Sequence, residues 1–141
     1  MKTVISSVFA AMLFVVPLFS SQAFSGEPVA APIASEWRNP SDSVHIRLDR
    51  CDGALCGTVT WASPKAIADA KRGGTDQLVG TRLFRNLQPA GDGAWKGKVF
   101  VPDIRKTFAG TIEFKDGDKM LGKGCVLFGL VCKAQTWSRV K

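Results

Sequence analysis

Chemistry-bearing motifs are scarce in this chain. It holds one histidine, His45, no Cys-x-x-Cys pair, no Gly-x-Ser-x-Gly turn, no phosphate-cradling glycine loop and no block of five or six like charges. Each absence removes a class of function. A lone histidine on the polar side of a strand is ordinarily a surface residue, and without the strained nucleophile turn no serine is set apart as its partner. A glycosidase pair would have to draw on Asp76, Asp103 or Glu113, yet Asp103 reads as a turn residue and Glu113 as an outward strand residue. Asp116-Gly117-Asp118 lacks the rest of a calcium-loop ligand series. No catalytic residue, cofactor or metal ligand is therefore expected. The basic residues are scattered, with Lys71-Arg72 and Arg105-Lys106 as adjacent pairs, which argues against a nucleic-acid patch.

What is present begins with a leader. Met1-Lys2 is a short basic segment, Thr3 to Phe19 is mostly apolar, and Ser21-Gln22-Ala23 puts small residues where a signal peptidase reads, so residues 1–23 are expected to be a signal peptide cleaved after Ala23. An uncleaved anchor is the alternative, but the run is a little short to span and Pro17 interrupts it. No transmembrane segment is expected in the remainder, and the protein is expected to be exported, periplasmic or secreted. The chain carries 19 basic and 12 acidic residues, a net charge of +7. Loss of Lys2 with the leader leaves 18 against 12, or +6, a balance that favours anionic partners through a diffuse field.

Four cysteines in an exported chain imply disulfides rather than a zinc site. Of the three possible connectivities, Cys51–Cys56 and Cys125–Cys132 are favoured, because each pair would face across the end of a hairpin. Loops this short contribute about 2 kcal/mol each in the chain-entropy picture.

Residues 24–36, with Pro28 and Pro32, read as a flexible lead-in, and 37–141 as one domain. From Ser43 to Arg50, Val44, Ile46 and Leu48 alternate with His45, Arg47 and Asp49, the period of a half-buried strand. Gly57 to Trp61 returns as a second strand, and PKAIADAK at 64–71 is a short helix with Ser63 as cap and Pro64 in its first turn. Further strands follow over Gly80–Leu87, Trp95–Val101, Lys106–Phe114, Lys119–Cys125 and Cys132–Val140. Asp116-Gly117 suits a type I′ hairpin, and Val126 to Val131 forms a loop inside the last cysteine pair. Seven strands joined largely by short turns predict an all-β, small antiparallel up-and-down barrel. Gly97, Gly110 and Gly122 fall where a closing sheet must bend. Parity then lines the interior with Ile46, Trp61, Trp95, Val99, Phe108 and Ile112.

The chain from Trp37 to Arg139 resembles the bacterial exported family catalogued as domain of unknown function 2147. The matching residues are Trp37 with Pro40; Cys51, Leu55-Cys56-Gly57 and Trp61; Asp76 ahead of Arg82 and Leu83; Trp95-Lys96-Gly97 with Pro102; Gly124-Cys125; and Gln135-Thr136-Trp137-Ser138-Arg139. The family tends to carry a Gly-Lys-Thr-Tyr turn where this chain has Arg105-Lys106-Thr107-Phe108, and a glycine where Lys98 stands. The resemblance implies a lipocalin-like barrel in which Trp37 packs with Arg139, and it supplies no catalytic residues.

Two functions follow as expectations. One is a carrier that holds a small hydrophobic, lipid-like ligand among the six interior residues. The other is an envelope interaction module with a packed core that binds an anionic envelope component: a polymer, a lipid surface or a protein partner. Oligomeric state is not legible in the sequence.

Overall fold

The computed structural model describes residues 30–141; the expected leader, 1–23, and the first part of the lead-in, 24–29, lie outside them. Eight strands and one helix follow in order: β1 (Ser35–Arg38), β2 (Val44–Cys51), β3 (Ala54–Ala62), α1 (Pro64–Arg72), β4 (Arg82–Pro89), β5 (Ala94–Val101), β6 (Lys106–Phe114), β7 (Lys119–Val126) and β8 (Val131–Arg139), with a single 3-10 turn at Pro102–Ile104 between β5 and β6. Each strand pairs antiparallel with its neighbours in sequence, and β8 returns to β1, so the sheet is a closed up-and-down barrel. The strand beyond the expected seven is β1. It begins at Ser35, inside the expected lead-in, because Ser35 and Trp37 are buried and Ser35 to Arg38 pair with Leu48 to His45.

Closure is narrow. β1 meets β8 at Trp37 opposite Arg139 and Arg38 opposite Ser138, whereas β8 pairs with β7 from Val131 to Ser138. The first half of β8 therefore has a strand partner on one side.

Two irregularities set which residues face inward. Between β2 and β3, Ile46 pairs with Val59 and His45 with Trp61, leaving Thr60 as a surplus residue. Such a bulge reverses the side-chain alternation beyond it. Between β4 and β5, Arg85 pairs with Lys98 and Gln88 with Lys96, so Asn86 and Leu87 oppose Gly97 alone. Asn86 takes a left-handed conformation, φ 49°, and a Cβ on Gly97 would lie 2.7 Å from the carbonyl oxygens of both Arg85 and Asn86. Here glycine is required by the close approach of backbone.

The expected helix is present. Ser63 Oγ accepts from Ala66 N at 3.2 Å, and α1 lies against the β5–β6 turn, where Thr75 Oγ1 donates to the Pro102 carbonyl at 2.9 Å. Arg105 ends that turn at φ 51°, in the left-handed region. The Asp116-Gly117 turn differs from expectation. Neither residue has a positive φ; Lys115 and Lys119 pair, and Lys119 N donates to Asp116 O at 3.2 Å. The loop is three residues, Asp116 to Asp118, between the paired Lys115 and Lys119, so it is not the two-residue turn that requires left-handed central positions. The two disulfides join Cys51 to Cys56 and Cys125 to Cys132, each closing one hairpin.

Candidate functional site

The barrel interior is occupied. Trp37, Ile46, Leu48, Leu55, Val59, Phe84, Leu87, Ile112, Met120 and Trp137 are buried and form a single apolar cluster, with Trp95, Val99 and Phe100 packed on its margin. Of the six residues expected to line a ligand chamber, Ile46 and Ile112 are fully buried, Trp95 and Val99 are half-buried at the edge of the cluster, and Phe108 is half-buried on β6 opposite Val99. Trp61 is a correction. It is 45% exposed and lies outside, because the surplus Thr60 turns it to the face of His45, whose ring centre is 4.7 Å from its own. Trp37 and Arg139 are cross-strand partners at the seam. The Trp37 indole donates to Ser35 Oγ at 2.7 Å, while Arg139 is exposed and its Nη1 lies 3.5 Å from the Gly117 carbonyl.

Polar side chains gather at the β1–β2 turn. Asn39 Oδ1 accepts from the backbone of Ser43 at 2.8 Å and of Val44 at 3.1 Å, which folds the turn locally. Asp42 follows at φ 50° and points its carboxylate back at His45: Nε2 is 2.7 Å from Asp42 Oδ1, and Nδ1 is 3.9 Å from Glu36 Oε1. Thr60 Oγ1 donates to the same Glu36 oxygen at 2.7 Å. The hydrogen bond from His45 is the main cause holding the Asp42 carboxyl below its ordinary value; burial opposes it, and the nearby charges of Arg38 and His45 add to the lowering. Both histidine nitrogens thus face carboxylates, not a hydroxyl nucleophile. Arg38, Asp42 and His45 share a shallow cleft of about 340 Å³ with Arg139, Val140 and Lys141. Among the described residues, no group of three or more His, Cys, Asp or Glu is arranged to hold a metal.

A wider cleft of about 630 Å³ lies beside the Cys51–Cys56 staple, lined by Asp52, Thr81, Arg82, Arg85 and Asn86. Arg85 is already engaged: its Nε donates to the Arg82 carbonyl at 2.8 Å and its guanidinium lies 4.3 Å from the centre of the Phe100 ring. None of the six expected ligand residues lines either cleft.

The largest apolar display is elsewhere. At the β7–β8 turn Phe128 is fully exposed, Leu130 is 85% and Leu127 64% exposed, and Val131 is half exposed. Sequence reasoning read this segment only as a loop. The signal that marks it is Val126-Leu127-Phe128-Gly129-Leu130-Val131, six residues without a polar side chain, closed in a small disulfide loop where strand pairing cannot bury them. No helix among the described residues is long and apolar enough to cross a membrane.

A closed antiparallel barrel with a filled centre and two hairpin staples fits a small binding-type module. The chain belongs to the bacterial family described as "Uncharacterized protein conserved in bacteria (DUF2147)", which matches residues 35–139. No curated protein and no solved structure matches it.

Proposed function

We propose that this protein is an exported envelope interaction module that holds an anionic component of the bacterial envelope on the outside of a packed barrel. The observation that carries this reading is the filled interior. Side chains from seven of the eight strands meet there, so what the protein offers a partner is its exterior, and with the leader removed that exterior carries a charge of +6. A lipocalin-like carrier needs an apolar chamber of several hundred Å³ to surround its ligand. Positions Ile46 and Ile112, which would line such a chamber, are instead in close contact with core neighbours, and Trp61 is outside.

Charge-led binding is salt-sensitive, since the Debye length falls from about 10 Å at 0.1 M to about 3 Å at 1 M. Purified protein incubated with cell-envelope fractions should bind at low salt and lose at least about ten-fold in affinity between 0.1 and 1 M salt. Binding indifferent to salt, or no binding to any fraction, would remove the proposal.

A further inference from the structure

We infer that the β7–β8 tip is a bilayer-inserting element, and that the anionic component this protein meets is the headgroup layer of a lipid membrane. The inference rests on the envelope-binding reading and names its partner.

The tip is built against the usual rules for a turn. Leu127 at φ 51° and Phe128 at φ 56° both occupy the left-handed region, which Asn, Asp and Gly fill with least strain. Three other hairpin turns follow the rule, with Asp42, Asp52 and Asp92 at φ 49–52° in the β1–β2, β2–β3 and β4–β5 turns, while Ala34 and Arg105 are further exceptions. At the β7–β8 turn two bulky apolar side chains take those places, and Leu130 follows. The turn is closed by Gly129 N to Val126 O at 3.2 Å and Leu130 N to Leu127 O at 3.1 Å, so local bonding does not depend on these side chains. Leu127 and Phe128 are thus exposed in backbone positions that carry a conformational cost for their side chains.

The staple and the charges give the tip its direction. Cys125 and Cys132 are paired directly below it, and beyond that rung come Val126 and Val131 and then the four turn residues. At about 3.3 Å per residue the apolar part projects roughly 7–10 Å past the disulfide. That length matches the depth, about 5–10 Å, to which interfacial elements sink into the boundary of headgroups and acyl chains. Lys123 and Lys133 lie within two rungs below the staple, at headgroup height when the tip is inserted. Between Lys119 and Lys141 there is no acidic side chain; Lys119 and Arg139 lie at the far end of the hairpin, by the β6–β7 turn, and Lys123 and Lys133 are the cations near the tip. Among the described residues Lys123 and Lys133 enter no ion pair. On the adjacent β5–β6 turn, which alternation of connections puts at the same end of the barrel, Asp103 is outnumbered by Arg105 and Lys106. An apolar point backed by Lys123 and Lys133 is complementary to an anionic bilayer, and a convex loop needs no shaped pocket in its partner.

The test uses the purified, disulfide-intact protein with sonicated vesicles of phosphatidylcholine alone or with about 30 mol% phosphatidylglycerol, read by co-sedimentation with the thermal midpoint measured in parallel. The protein should bind the anionic vesicles. Leu127→Asn combined with Phe128→Gly should lower that binding at least thirty-fold while leaving the thermal midpoint equal or higher, because both replacements suit a positive φ. Lys123→Gln and Lys133→Gln should each weaken it about five-fold and flatten its salt dependence. Unchanged vesicle binding by the tip variant would overturn the insertion inference yet leave charge-led envelope binding standing. No binding to anionic vesicles, with retained binding to a lipid-free envelope polymer, would overturn it in the same way. Concentration-dependent self-association that the tip variant abolishes, without vesicle binding, would assign the tip to a contact between copies and likewise overturn it.

Discussion

Asp42 is the hub of the β1–β2 turn, and its titration reports whether the polar cluster exists in solution. Its carboxylate meets His45 at 2.7 Å and Arg38 at 3.3 Å, and the histidine hydrogen bond is the main cause of its lowered pKa. A carboxyl whose folded value is depressed adds stability that is fully present above its unfolded value and is lost as pH falls through the folded one. Followed by carbon NMR, Asp42 should titrate below 3.8, and His45→Gln should move its midpoint up toward that value. An Asp42 midpoint that His45→Gln leaves in place would dissolve the cluster. His45 itself was legible as a polar-face residue from the alternation of Val44, Ile46 and Leu48. Trp61 was not, since one surplus residue, Thr60, reverses its direction, and nothing in Thr-Val-Thr-Trp distinguishes a bulge from regular strand.

At the scale of elements, the strands and helix were readable because alternation, caps and turn residues all act locally. The strand missed was β1: four residues are too short for a period, and it is ordered by pairing with β2 and by the burial of Trp37, both non-local. Gly97 shows the same dependence from the other side. The sequence marks it as a strand glycine, but the reason for it is the β4 bulge folded over it, with two carbonyl oxygens 2.7 Å from where a Cβ would stand. Gly97→Ala should destabilise the barrel by about 1–3 kcal/mol in urea unfolding, the range typical of overpacking. Gly124, two strands further round on β7, has open space at its Cβ and serves as the control; Gly124→Ala should leave stability within about 0.5 kcal/mol. Equal effects at the two positions would mean that the bulge does not press on β5. The β7–β8 tip was missed for a related reason. Alternation finds residues that a sheet will bury, and a six-residue apolar run gives no sign of facing water until its flanking cysteines are known to close it.

For the whole molecule, the question is whether the centre of the barrel is core or container. Parity put Ile46 and Ile112 inside correctly, but parity assigns direction, not volume, and the filling comes from residues on other strands, among them Leu55, Phe84, Leu87, Met120 and Trp137. A filled barrel should give a native mass equal to the polypeptide alone, and fluorescent fatty acids should leave emission from the buried Trp37 and Trp137 unchanged. The converse experiment makes the test two-sided. Ile112 is fully buried, so Ile112→Ala should cost about 2–5 kcal/mol and leave an apolar void. Dry voids of this kind accept small apolar molecules. Benzene-sized probes should therefore raise the thermal midpoint of Ile112→Ala and have no effect on the wild type. Stabilisation of the wild type by fatty acid, together with a co-purified lipid that Ile112→Trp displaces, would show a container, and the exterior would no longer be the surface on which this protein acts.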